Sequence, residues 1–157
     1  MNATEYLRLA RDAFRLKQHS ECIDFSWKAL EILKQDKHAL DYDRALALLA
    51  RAHRERQQPE LALICLDLIR GPSRSRRQHE LHLRSLNLEA KIHLANRHLA
   101  RAESSLALAW QLGRITPRSR GFEETLQLTL YVRYVTGQTH LARSVVSEWM
   151  AVIQRSL

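Results

Sequence analysis

The sequence is poor in the residues that interrupt helices. Its 157 residues include only 4 Gly and 3 Pro, whereas Leu, Ala, Arg, Glu and Gln, which favour helix, are abundant. No segment shows the apolar–polar alternation that is typical of a β-strand. A chain of this length fits a single domain. The composition therefore predicts an all-α protein with one domain over residues 1–157.

Long apolar runs and cysteine pairs are also missing. No stretch approaches the roughly 20 consecutive apolar residues of a membrane span, and the first residues lack the basic and apolar segments of a signal peptide. We therefore expect a cytoplasmic protein that does not bind a membrane. The 2 cysteines, Cys22 and Cys65, are spaced like neither a metal site nor a redox motif, so we expect both to be buried and reduced.

Motifs for catalysis are not present either. His79 and His82 stand three residues apart, but no further ligand completes a zinc site. The few glycines form no phosphate-binding loop, and no Ser or Cys has an identifiable base. We therefore expect no metal, no cofactor and no enzymatic activity. His53 and His93 recur 40 residues apart, and we expect them to be core histidines.

Negative charge is scarce as well. The chain has 17 Asp and Glu against 25 Lys and Arg, which gives a formal net charge of +8. This balance predicts an acidic partner, nucleic acid or anionic lipid, and it carries no information about the fold. Most of the cations are arginines, which favour planar, bidentate contacts with carboxylate or phosphate.

What the sequence has instead is an internal repeat of 40 residues. At this step the chain has Ala10, Ala50 and Ala90, and Leu130 is the fourth residue of the series. Four steps account for nearly the whole chain, and such a period is typical of a solenoid. Three further columns recur with the same step: Cys22, Ala62, Ala102 and Ala142; Ala29, Ile69, Ala109 and Trp149; Ser26, Leu66, Leu106 and Val146.

Apolar periodicity and helix-ending residues divide each repeat into two helices. Thr4 is placed to cap the first helix, and Pro59 suits the first turn of the fourth. The predicted repeats cover about residues 3–38, 41–78, 81–118 and 121–157. The predicted helices cover about residues 4–17, 20–33, 41–56, 59–70, 77–95, 99–112, 122–136 and 139–155.

Residues 9–32 closely resemble a tetratricopeptide repeat (TPR). The matching residues are Leu9-Ala10 in the first helix, Cys22-Ile23 after the turn, and Lys28-Ala29-Leu30-Glu31 at the end of the second. The other units match in the same register, although the step of 40 exceeds the family's usual 34. Long repeats of this kind look like those in sensor superhelices of some bacterial transcription activators and in other solenoid adaptors.

Two positions depart from the TPR pattern. Glu89 and Thr129 stand where the family prefers a large apolar residue, so we expect Leu88 or Leu128 to take the inward place. The resemblance implies a right-handed α-solenoid of about four antiparallel helix hairpins. It also implies recognition of a protein or peptide on the concave face, without catalysis.

In the TPR family, the residue after the small Ala of the first helix points to the concave side. The resemblance therefore implies a basic groove with aromatic residues near its ends. Such a groove suits an acidic peptide or helix of a partner protein, as in an adaptor, chaperone or regulatory subunit; the alternative is that these residues only form solvated helix faces. The predicted groove residues are Arg11, Phe14, Arg44, Arg51, Arg54, Arg84, Lys91, Tyr131 and Tyr134.

Two arginine-rich segments between repeats suggest a different function. They lie on the same predicted edge of the solenoid and could bind a phosphate backbone, or they could be solubilising loops. No recognised nucleic-acid motif accompanies them. Besides Arg70, the residues of this edge are Arg74, Arg76, Arg77, Arg114, Arg118 and Arg120.

The tryptophans fall late in the second helices, where inter-repeat packing predicts core positions for Trp27, Trp110 and Trp149. Trp149 has no following repeat to cover it. With Met150 and Ile153 it is predicted to form a docking face for a partner or for a second copy in a homodimer. The other interpretation is that the last helix folds back on the third repeat.

Overall fold

A computed structural model describes residues 1–37, 39–69 and 76–157. Within these ranges the chain is helical and has no strand, so the all-α prediction is confirmed. Each predicted helix is present with bounds that differ by a few residues. The helices are α1 (Ala3–Arg15), α2 (His19–Leu33), α3 (Leu40–Glu55), α4 (Pro59–Ile69), α5 (Arg76–Ala95), α6 (Leu99–Gly113), α7 (Arg120–Val135) and α8 (Ala142–Arg155), with a 3-10 helix at Thr139–Leu141 before α8.

The chain divides into two compact units, Met1–His82 and Leu83–Leu157. In the first unit, α1 packs against α2 and α3, α2 packs against α3, and α3 packs against α4. In the second unit, α7 packs against α6 and α8. The single domain and the four repeat ranges stay predictions. None of the described helices is both long enough and apolar enough to cross a membrane.

The residues that recur every 40 positions lie in the helix interfaces. Ala10, Ala50 and Ala90 are fully buried, as are Cys22, Ala62 and Ala102. Small residues at these positions let paired helices approach closely. In the fourth repeat the corresponding Leu130 and Ala142 are only half-buried. The period therefore marks core positions, and the last hairpin packs less closely than the others.

The four hairpin turns share one backbone geometry. Lys17, Gln57, Arg97 and Gly137 are 40 residues apart, and all have φ between 58° and 72°. In each turn, the residue that follows the one with positive φ donates its backbone N–H to a carbonyl five positions before itself. Gln18 donates to Ala13 at 2.9 Å, and Gln138 donates to Arg133 at 2.7 Å. This is the Schellman motif, which satisfies carbonyls at the end of the first helix. Sequence reasoning missed it because three of the four residues are not glycine.

We expect glycine at these turn positions to stabilise the protein. A side chain in the left-handed region costs about 1 kcal/mol, so Gln57→Gly should raise the free energy of unfolding by up to about that amount. The reverse change, Gly137→Ala, should lower it by about 1 kcal/mol, although a methyl group there would meet no atom within 4 Å. Urea unfolding followed by circular dichroism measures both.

A helix-interior position supplies the control. Gln127→Gly, at an exposed position in the middle of α7, should lose about 1 kcal/mol. Loss of stability in both Gln→Gly variants would contradict the strain that we assign to the turn.

The start of α1 corrects one sequence-based expectation. Thr4 lies inside the helix, and Asn2 is the capping residue. The Asn2 Oδ1 accepts from the Glu5 backbone N–H at 2.9 Å, and the Asn2 backbone N–H donates to Glu5 Oε2 at 2.7 Å. This capping box satisfies two backbone groups at once. Pro59 begins α4 as predicted.

The tryptophans do not share one environment. Trp27 is 56% exposed, so the prediction that it lies in the core is wrong. The adjacent Ser26 takes the buried position, and the turn of about 100° per residue directs Trp27 outward. Trp110 and Trp149 pack against the buried cluster of Leu83, Leu86, Ala109, Phe122 and Val152 in the second unit.

Glu89 keeps the inward position that we expected a neighbouring leucine to take. Its side chain is buried, and Leu88 is only half-buried. The Glu89 Oε1 lies 3.7 Å from His93 Nε2, so a polar pair occupies this part of the core. Burial lowers the pKa of His93, partly offset by the Glu89 carboxylate. Both His53 and His93 are buried, as predicted.

Candidate functional sites

The cationic surface of the first unit is built by two packed helices, α1 and α3. Arg11 on α1 and Arg51 and Arg54 on α3 are exposed, while Phe14 is half-buried one turn after Arg11. The guanidinium carbon of Arg51 lies 4.2 Å from the centre of the Phe14 ring. We refer to Arg11, Phe14 and Arg51 as the Arg51–Phe14 surface. It joins two predicted groove residues that are far apart in sequence.

Stacking gives the Arg51–Phe14 surface a defined geometry. The ring attracts the cation at its face, and a guanidinium makes its hydrogen bonds in its own plane, along its edge. The edge of a stacked arginine is therefore suited to a carboxylate. Phe14 also contacts the His19 ring, with centroids 5.4 Å apart, which helps to hold it in place.

Two other arginines of the first unit lie close to carboxylates. Arg44 Nη1 donates to Asp41 Oδ1 at 2.8 Å within the first turns of α3. Arg54 Nη1 is 4.0 Å from Glu55 Oε1. These pairs offset part of the positive charge of Arg44 and Arg54. We place the contacts with a partner on Arg51, because of its position over the Phe14 ring, and on Arg11, which lies on the same helix as Phe14.

In the second unit, the predicted groove residues are less cationic. Lys91 on α5 forms an ion pair with Glu124 on α7. Glu124 occupies the position that Arg44 and Arg84 have in the second and third repeats. This change from arginine to glutamate indicated in the sequence that the charge of Lys91 could be neutralised. Arg84, Tyr131 and Tyr134 are exposed. That all nine residues form one groove stays a prediction.

A buried polar network next to Lys91 was not found by sequence reasoning. Asn87 is fully buried, and its Nδ2 donates to the Gly121 carbonyl at 2.8 Å and to Glu124 Oε2 at 3.3 Å. Its Oδ1 accepts from the Thr125 hydroxyl at 2.8 Å. These bonds tie α5 to the first turns of α7. They also position Glu124 against Lys91.

The predicted arginine-rich edge is described only in part. Arg70, Arg74 and the side chain of Arg76 lie outside the described residues. Arg77 near the start of α5, Arg118 before α7 and Arg120 at the start of α7 are exposed. Arg114 is also exposed, and its Nη1 is 4.0 Å from Glu148 Oε1. Binding of a phosphate backbone by this edge stays a prediction.

The predicted docking face on α8 is divided between the core and solvent. Trp149 packs against the buried cluster of the second unit, as expected if the last helix folds back on the third repeat. Ile153 is half-buried, whereas Met150 is exposed. Binding of a partner or of a second copy by these residues stays a prediction.

A different helix carries an exposed apolar stripe that we did not predict. On α4, Leu61, Ile64 and Leu68 are 43%, 57% and 62% exposed. The equivalent positions of α2 carry Glu21, Asp24 and Lys28, so comparison of the repeats could have found the stripe.

A cleft of about 370 Å³ opens between α6, α7 and α8 of the second unit. Its walls include the apolar side chains of Leu106, Val132 and Val145. Two ion pairs also line it: Arg133 Nη1 is 3.7 Å from Glu103 Oε1, and Arg114 pairs with Glu148. The Trp110 indole N–H donates to Glu148 Oε1 at 3.1 Å. Sequence reasoning did not predict this cleft.

Two further features of the described residues concern the cysteines and metal ligation. Cys22 and Cys65 are buried, unpaired thiols, and burial raises the pKa of each, which disfavours the reactive thiolate. No group of three or more His, Cys, Asp or Glu side chains in the described ranges could hold a metal ion.

Comparison of the chain with protein-family models, curated proteins and solved structures finds no match.

Proposed function

We propose that this protein is a non-enzymatic interaction module that binds an acidic peptide or helix of a partner protein. The binding site that we propose includes the Arg51–Phe14 surface. The biological role would be that of an adaptor, a chaperone or a regulatory subunit. We further propose that the four hairpins form a right-handed, TPR-like solenoid.

The stacking of Arg51 on Phe14 is the observation that carries the proposed function. It places an exposed guanidinium beside an aromatic ring on two packed first helices. An isolated exposed ion pair contributes only about 0–1 kcal/mol, so several carboxylates and an apolar anchor are needed for useful affinity. Arg11 and Arg51 supply two cations, and Phe14 supplies apolar surface.

The recurrence of local structure supports the proposed architecture. The same turn geometry returns every 40 residues, and the same columns are buried in the first three repeats. Repetition of one hairpin with small residues at its helix interface is the pattern from which solenoids are built.

A charge-reversal experiment tests the proposed function. The probe is a fluorescein-labelled peptide of twelve residues with glutamates and two leucines, and a second peptide has lysines in place of the glutamates. By fluorescence anisotropy we expect saturable binding of the acidic peptide only. Arg11→Glu/Arg51→Glu should weaken it at least tenfold, because two attractive contacts become repulsive. Circular dichroism verifies the fold of each variant.

Two control variants separate a specific surface from general charge. Lys37→Glu changes an exposed residue between α2 and α3 and should alter affinity less than twofold. Arg51→Lys keeps the charge but loses the planar group, so it should give an intermediate affinity. Equal weakening by Lys37→Glu and by Arg11→Glu/Arg51→Glu would contradict a defined site. A single-stranded oligonucleotide that competes with the peptide in every variant would indicate the arginine-rich edge instead.

A further inference from the structure

The cleft of the second unit lies beside the last hairpin, which departs from the repeat. Where the first three repeats have Ala10, Ala50 and Ala90, the fourth has Leu130. Ala142 at the start of α8 is half-buried, whereas its counterparts Cys22, Ala62 and Ala102 are fully buried.

Some cleft residues are less covered than their counterparts in the first unit. Leu30, Leu49, His53 and Cys65 are all buried. They precede Trp110, Thr129, Arg133 and Val145 by two repeat steps, and these four cleft residues are only half-buried.

Arg133 gives this space a chemical preference. Its Nη1 donates to Gln138 Oε1 at 2.6 Å, and the 3.7 Å to Glu103 is longer than a hydrogen bond. Among the described residues, no acceptor pairs with the buried Nε of Arg133. A buried donor without a partner is unfavourable, and Nε together with an Nη edge matches a carboxylate. Arg133 lines the cleft, and its side chain is 31% exposed.

We propose that the cleft binds a small free carboxylic acid with an apolar chain. The carboxylate contacts the Arg133 guanidinium, and the chain lies against Leu106, Val132 and Val145. The volume of about 370 Å³ is near the lower end of the roughly 300–1,000 Å³ that ligand pockets occupy. This site lies within the second unit, so it does not depend on peptide binding by the first.

Octanoate is the probe, and octanamide is its uncharged counterpart with the same chain. By isothermal titration calorimetry we expect saturable binding of octanoate and at least tenfold weaker binding of octanamide. In ¹⁵N-edited NMR spectra, the indole signal of Trp110, which lines the cleft, should shift on titration. The indole signal of Trp27, in the first unit, should stay in place.

Four variants test where the carboxylate and the apolar chain of octanoate bind. Arg133→Gln should weaken octanoate binding at least tenfold, and Glu103→Gln should strengthen it by removing a competing negative charge. Val145→Phe should abolish binding by filling the cleft, and it keeps the proposal testable if Arg133→Gln fails to fold. Arg143→Gln changes an exposed α8 residue outside the cleft and should have no effect.

Four results would overturn the proposal. One is the absence of saturable octanoate binding to the folded protein. Another is equal affinity for octanoate and octanamide, which would show that the carboxylate does not contribute to binding. The third is unchanged binding in Val145→Phe, which would place the ligand elsewhere. A peptide with an apolar carboxyl-terminal residue that binds where octanoate fails would likewise contradict the free acid as the occupant.

Discussion

Gly113→Ala is expected to lower the free energy of unfolding by about 3 kcal/mol, at the upper end of the usual cost of overpacking. Gly113 is the last residue of α6 and is buried. A methyl group added there would lie 2.1 Å from Phe122 Cδ2 and 2.6 Å from Cγ. Those separations are far shorter than a carbon–carbon contact of about 3.5–4.0 Å.

Phe122 has little freedom to move away from the added methyl group. It is fully buried among Leu83, Leu86, Ala109 and Val152. Its ring packs edge-on against Trp110, with centroids 5.2 Å apart. Dense packing of this kind transmits the strain to its neighbours instead of absorbing it.

Urea unfolding of three variants tests the origin of the loss. Phe122→Leu alone should cost roughly 1–3 kcal/mol, because it removes buried ring atoms. In the double variant with Gly113→Ala, the smaller side chain makes room for the methyl group, so the total loss should be less than the sum. Gly137→Ala is the matched control, with only about 1 kcal/mol of backbone strain. Additive losses would show that contact with Phe122 is not the cause.

Asn87→Asp is the second change with a large expected effect, again about 3 kcal/mol at neutral pH. The Nδ2 group that donates to Gly121 and Glu124 would be replaced by an oxygen. A buried charge would then face a carbonyl and a carboxylate without a donor between them, and the loss of one partner of a buried charged group costs several kcal/mol. Lys91 offsets part of the repulsion, but it is already paired with Glu124.

The pH dependence distinguishes repulsion from a simple loss of packing. A carboxyl group that is destabilised in the folded state holds its proton more tightly there than in the unfolded chain. The variant should therefore recover stability relative to the wild type as the pH falls. Asn2→Asp is the matched control, because Asp caps a helix as well as Asn does, and it should be nearly neutral. A deficit of Asn87→Asp that is independent of pH would contradict the electrostatic cause.

Local sequence patterns were sufficient for the helices and for most of the core. The 40-residue columns anticipated the burial of Ala10, Cys22 and Ala29, because small and apolar residues at helical spacing are buried wherever helices pair. The same logic failed for Trp27. The large apolar side chain of Trp27 suggested a core position, but the adjacent Ser26 lies on the buried face of α2 instead.

The candidate site was less accessible to sequence reasoning than the fold. The column of cations includes Arg11 on α1 and Arg51 on α3, and these two helices pack against each other. It did not reveal that Arg51 stacks on Phe14 or that Lys91 is paired with Glu124. Comparison of the repeats could have revealed the exposed apolar stripe of α4. The close approach of Phe122 to Gly113 is visible only in the structure.

The sequence by itself determined the helical class, the eight helical segments and the residues that recur at their interfaces. These properties follow from composition and from periodicity within one or two turns. Only the tertiary structure decided which cations are neutralised, that Glu89 and His93 are buried together, and that a cleft opens between α6, α7 and α8. Those outcomes depend on distances between side chains on different helices or turns, and a few ångströms of helix displacement change them while the local pattern stays the same.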